Sequence, residues 1–104
     1  MKLHPSFKKH LPQIVMLLKA HKIANACVFG SVLTSNFHKE SDVDFIVNLE
    51  EGIEPAEAGT HLWNLYDNLK ELLNREVDIL TERSLKNPYL IEEINKSKLP
   101  IYGY

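Results

Sequence analysis

The amino-acid sequence predicts an α/β (α+β) chain in which helices and strands alternate from one end to the other. Three observations carry that expectation. Apolar residues recur at steps of three and four over helical lengths, short apolar or alternating runs lie between them, and glycine, proline or asparagine marks the joins.

Taking the elements in order, Phe7, Leu11, Ile14, Val15 and Leu18 fall on one helical face and predict a first amphipathic helix over 6–21. Asn25 interrupts. Ala26-Cys27-Val28-Phe29 then reads as a short, central, buried strand feeding a tight turn at Gly30-Ser31. Residues 32–41 are mostly polar and suggest a turn or two of helix followed by a loop. Asp42-Val43-Asp44-Phe45-Ile46-Val47 alternates before becoming apolar, which predicts a strand that carries acids at its start.

Glu50, Glu51, Gly52, Glu54 and Pro55 read as a solvated acidic linker. Leu62, Leu65, Tyr66, Leu69, Leu72 and Leu73 give the clearest helix, with Trp63 and Tyr66 expected to join its core stripe rather than to form a partner surface. The alternation through Glu76-Val77-Asp78-Ile79-Leu80 predicts a third strand after a minimal connection. Asn87-Pro88 looks like an N-cap followed by proline in the first helical position, with Tyr89, Leu90, Ile91 and Ile94 as the apolar side. Leu99 to Tyr102 fits an edge strand.

A length of 104 residues suits one compact domain spanning 1–104, because single cores usually need roughly 100 to 150 residues. The net charge of −2 argues against a general nucleic-acid binder, which needs a basic face to neutralise phosphates. Cys27 is the only cysteine, so no internal disulfide forms, and its apolar neighbours predict an ordinary buried thiol. With no apolar run of membrane-spanning length and no export signal, a cytoplasmic location is expected. His4, His10, His21, His38 and His61 show no close metal-ligand spacing and read as surface residues.

The chemistry concentrates at two places. In Asp42-Val43-Asp44 the period of two projects both carboxylates to one side, with Cα atoms roughly 6.5 to 7 Å apart. Such a pair repels itself unless a cation intervenes, and hard oxygen donors select magnesium or manganese. Gly30 lets the backbone turn closely past a ligand, and Ser31 offers a hydroxyl and an amide to a phosphate. If the strand ending at Gly30 lies beside the one beginning at Asp42, triphosphate oxygens at the turn face metal held by the acids. Asp78 on a neighbouring strand is a third candidate ligand and a general base for an attacking hydroxyl.

Gly30-Ser31, ten intervening residues and Asp42-Val43-Asp44, with Asp78 further on, resemble the signature of the DNA polymerase beta-like nucleotidyltransferase superfamily. The short length is similar to its minimal nucleotidyltransferase (MNT) group, which includes MntA-like antitoxins. The resemblance implies the nucleotidyltransferase fold, a small mixed sheet flanked by helices. It also implies metal-dependent transfer of a nucleoside monophosphate, AMP from ATP, with Asp42, Asp44 and Asp78 as metal ligands and catalytic groups. The partner it implies is a HEPN-domain toxin carrying the acceptor hydroxyl. Family members often follow the glycine-serine pair with arginine and glycine, whereas this chain has Val32-Leu33-Thr34-Ser35. Thr34 cannot supply that positive charge, so two readings stand: a slow nucleotidyltransferase, or a non-catalytic antitoxin that acts by covering its partner.

Overall fold

The computed structural model describes residue 3, residues 5–30 and residues 42–103. The expectations placed on His4, Ser31, the short helix within 32–41, Thr34 and His38 lie outside the described residues.

The first helical stretch is two helices, α1 (Pro5–Lys8) and α2 (Leu11–Ala20), where the periodicity alone suggested one. Pro12 is the cause. It has no amide to bond the Lys8 carbonyl, and its ring crowds that oxygen, so the helix ends at Lys8 and restarts with proline in its first turn. α1 is fixed by Phe7, which is 1% exposed and lies 6.1 Å from Phe45 between ring centroids.

β1 (Ile23–Phe29) is longer than the apolar run suggests, because Asn25 sits inside it. The register slips between Ile23 and Asn25, and Asn48 Nδ2 donates to Asn25 Oδ1 at 2.8 Å. A cross-strand amide pair thus makes a polar residue acceptable there. β2 (Val43–Leu49) runs antiparallel to β1, and β3 (Val77–Thr81) runs parallel to β2. A parallel pair needs a long crossover, which α3 (Pro55–Leu73) supplies. α3 begins at Pro55, two turns before the leucine pattern, and ends at Asn74 in the left-handed conformation, φ 52°.

A 3-10 turn (Glu82–Ser84) leads to α4 (Pro88–Ser97), after which β4 (Leu99–Tyr102) pairs antiparallel with β1. The sheet order is β3-β2-β1-β4, a small mixed sheet with β1 central, both as expected, and with β2 also inside. The Asn87 cap is present: its side chain accepts from the amides of Tyr89 at 2.9 Å and Leu90 at 3.3 Å. Asn87→Ala is expected to cost about 1 kcal/mol, read as a lower urea midpoint. An unchanged midpoint would show that α4 contributes nothing to the folded unit.

The period of two divides the sheet into faces. Ala26, Val28, Val43, Phe45, Val47 and Val77 turn toward α2 and α3 and join Ile14, Leu18, Leu65, Leu69 and Leu73 in the core. Cys27, Asp44, Ile46 and Asp78 belong to the other face, whose far end α4 covers through Ile94. Cys27 is fully buried.

Two expectations about apolar faces are corrected. Trp63 is 67% exposed, because it lies one helical step off the Leu62–Leu65–Leu69–Leu73 stripe. Tyr89 and Leu90 are also exposed, and α4 buries only Ile94. The histidine expectation is corrected at one place: His21 at the end of α2 and His61 on α3 are half-buried, with Nδ1 atoms 3.4 Å apart. Burial, then the neighbouring His61, lowers the His21 pKa below its ordinary value. Among the described residues no helix is long and apolar enough to cross a membrane.

Candidate functional site

Phe29, Asp44 and Asp78 stand in one row across three strands, because Phe29 pairs with Asp44 and Asp44 with Asp78. The row lies at the end of the sheet where β1 finishes and β2 and β3 begin. A hydrogen bond from the Val43 amide to the Glu76 carbonyl, 3.2 Å, sets that register. Gly30 follows Phe29 directly, and Asp42 directly precedes β2.

The strand alternation that buries Val43 and Phe45 turns Asp44 to the opposite face, beside Asp78. Asp44 is half-buried, whereas Asp42 and Asp78 are exposed. The Asp44 carboxyl is pushed up from an ordinary 3.8 to about 6, first by burial, then by the Asp78 charge and its hydrogen bond with Asp78, and last by Asp42. Below about pH 6 the protonated Asp44 carboxyl donates to Asp78, which relieves the repulsion.

Gly30 has φ 85°, a conformation open to glycine. A Cβ built there would come 2.7 Å from Asp44 Oδ2, so the missing side chain leaves the carboxylate space and lets the backbone approach it. The structure therefore brings four of the five predicted site residues, Gly30, Asp42, Asp44 and Asp78, to one end of the sheet. Ser31 is outside the described residues.

This donor set fits a hard divalent cation. It is all carboxylate oxygen, and burial of Asp44 together with the Asp78 and Asp42 charges beside it raises that carboxyl above its usual range, a cost that a cation offsets. Among the described residues, no group of three or more histidine, cysteine or acidic side chains, these three aspartates included, stands arranged to hold a metal ion by itself. An open site completed by substrate phosphates and water is the arrangement that suits magnesium.

The raised Asp44 pKa has a consequence for stability. Between about pH 4 and pH 6 the folded chain binds a proton that the unfolded chain has released, so metal-free stability falls as pH rises through that window. We expect Asp44→Asn to stabilise the chelator-treated protein at pH 7, on the order of 1 kcal/mol once solvent screening of a half-exposed group is allowed for. Thermal unfolding at pH 5 and pH 7 measures it. Equal melting temperatures for wild type and variant at pH 7 would show that Asp44 bears no such strain.

The structure favours the surface role for Trp63 over the expected core role, with Tyr66 beside it. A cleft of about 450 Å³ runs between α3 and β3, with Trp63 and Tyr66 on one side and Asp78 and Ile79 on the other. The exposed indole is set against Tyr66, 6.1 Å between centroids, and the Tyr66 hydroxyl donates to Glu76 at 3.2 Å. Lys70 completes the group, 2.7 Å from Glu76 and 5.7 Å from the Tyr66 ring centroid. The available signal was the offset of Trp63 from the leucine stripe.

Comparison with known proteins places this geometry in context. The family model described as Polymerase beta, Nucleotidyltransferase matches residues 12–104. A "Putative protein adenylyltransferase" of Methanocaldococcus jannaschii is 33% identical over 82 residues, which cover 79% of this chain and 83% of the relative. A solved structure of a "putative minimal nucleotidyltransferase" superposes with a TM-score of 0.73 at 29% identity, covering 91% of this chain and 92% of that one. The fold is also shared with a chain in the structure of a tri-AMPylated Shewanella oneidensis HEPN toxin in complex with MNT antitoxin. There the TM-score is 0.65 at 20% identity, with 93% of this chain and 72% of that chain covered.

Proposed function

The chain belongs to the polymerase beta nucleotidyltransferase family, in its minimal group, and from that membership we propose that it transfers AMP from ATP to a hydroxyl on a HEPN-type toxin. The observation that carries the reading is the carboxyl contact between Asp44 and Asp78, under the charge of Asp42, at the place where Gly30 comes close to Asp44. Metal-free, this arrangement is electrostatically costly. It becomes favourable once positive charge and phosphate are present.

In this reading Asp42 and Asp44 hold the metal, Asp78 is a further ligand and accepts the proton of the attacking hydroxyl, and Gly30 and Ser31 hold the triphosphate. Magnesium or manganese, when bound, neutralises the carboxylates and the phosphates and stabilises charge developing at the α-phosphate. The acceptor oxygen bonds to the α-phosphorus, the bond from that phosphorus to the bridging oxygen breaks, and pyrophosphate leaves. Paired strands fix the Asp44 and Asp78 backbones before substrate arrives, which lowers the reorganisation that accompanies the reaction. Support for AMP and for a HEPN partner comes from the name of the archaeal relative and from the complex that shares the fold.

Thr34, in place of the arginine common in the family, favours a second reading in which the protein neutralises its partner by contact alone. Incubation of the cognate HEPN protein with this chain, ATP and either metal separates the two. We expect an AMP mass increase on the partner. Neutralisation of the partner with no mass increase after prolonged incubation would establish the contact reading.

A further inference from the structure

We propose that the acceptor hydroxyl is presented on an extended polypeptide segment lying along the outer edge of β3, with its apolar neighbours seated in the cleft walled by Trp63. The proposal rests on the transferase reading and names the substrate class that the same site takes.

Three features of the structure lead to it. Among the described residues β3 is an edge strand, paired only with β2. The cleft lies beside that edge on the face opposite the Asp44–Asp78 carboxylates, and β3 itself, through Val77, Asp78 and Ile79, links the two. Its aromatic wall is prepared: Trp63 is 67% exposed and is backed by Tyr66, which Glu76 and Lys70 hold in place. A large indole kept in solvent beside a sheet edge is the kind of anchor that binds a partner's apolar side chain.

The geometry of a strand then decides which residues go where. An added strand continues the two faces of the sheet, so the residue opposite Asp78 points to the Asp44–Asp78 face, with Cβ atoms about 4.5–5.5 Å apart. Its two neighbours along the segment point to the other face, beside Val77 and Ile79, where the Trp63 cleft lies. One binding mode therefore brings a hydroxyl to the carboxylates and buries the side chains on either side of it. Main-chain hydrogen bonds to β3 supply affinity, and the cleft supplies selectivity. The transfer is the one already described, with ATP as the donor: the new bond joins the hydroxyl oxygen to the α-phosphorus, pyrophosphate departs, and the hydroxyl proton passes to Asp78.

The test uses the full chain, ATP with magnesium or manganese, and synthetic peptides with a central tyrosine or serine flanked by valine or leucine. Matched peptides carry glutamate flanks or N-methylated backbone amides. Wild type is expected to label the apolar-flanked peptide, with at least about tenfold less labelling of each matched control. Trp63→Ala is expected to raise KM for the peptide at least about tenfold with little change in kcat, and Trp63→Phe to recover part of the loss. Metal-dependent ATP binding should be unchanged in both variants. Labelling that ignores Trp63 and N-methylation, or no peptide labelling by a wild type that binds ATP with metal, overturns the edge-bound segment while leaving the transferase reading intact. Absence of metal-dependent ATP binding in wild type overturns both.

Discussion

With Asp42 and Asp44 both replaced by asparagine, the proposed AMP transfer from ATP is expected to fall by at least about 1,000-fold, because the metal of that mechanism would lose two anionic ligands while the transition-state charge is unchanged. Either single substitution removes part of the set. The double variant removes Asp44, which meets Asp78 at the end of the sheet, and the Asp42 charge beside it. The fold should survive, since Asp42 is exposed, Asp44 is half-buried, and removing like charges relieves repulsion. Circular dichroism checks the fold, calorimetry with ATP and metal checks binding, and mass spectrometry of the partner checks transfer. A folded double variant that still transfers AMP at a tenth of the wild-type rate would show that these carboxylates do not hold the metal.

Gly30→Val is expected to weaken ATP binding in the presence of metal by at least about tenfold and to cost about 1–2 kcal/mol of stability. The stability cost arises because φ 85° is a conformation that a β-branched residue adopts only under strain. The binding cost has a separate origin: the new Cβ would fall 2.7 Å from Asp44 Oδ2, so the carboxylate must swing out of its place. Gly30→Ala carries the same clash without branching, and its binding loss should be of similar size. Urea unfolding and calorimetry read the two effects independently. A folded Gly30→Val protein that binds ATP normally would falsify the close approach of the turn to the phosphates.

These effects concern residues that were legible in the sequence because their chemistry is written in short spacings. A strand turns Asp44 away from Val43 and Phe45 whatever surrounds it, and a glycine before a polar loop marks a sharp turn wherever it occurs. The order of elements was legible for the same reason, down to the Asn87 cap and the closing strand at Leu99. Long-range relations were not. His21 and His61 are 40 residues apart in the chain, and only the packing of α2 on α3 brings their rings together. Asn25 looked like an interruption because its partner, Asn48, lies on the next strand. Trp63 looked like core because apolar character was read without the direction its helix gives it. Pro12 is different: the break is present in the sequence, but the apolar periodicity continues across it because both short helices pack on the same core.

Cys27 has a use that follows from its position alone. It lies on an interior strand, opposite Ile46 on one side and Pro100 on the other, and is fully buried. A thiol reagent reaches it only when the sheet opens, so its rate of alkylation reports how often β1 is uncovered. As the only cysteine in the chain, it needs no engineered label. Alkylation followed across a urea series separates fraying of β4 from opening of the whole sheet: the first proceeds with little dependence on denaturant, the second with the full slope of global unfolding. Bound ATP should slow only the second, which makes this one sulfur a gauge of whether a ligand at the acidic end of the sheet holds the entire molecule closed.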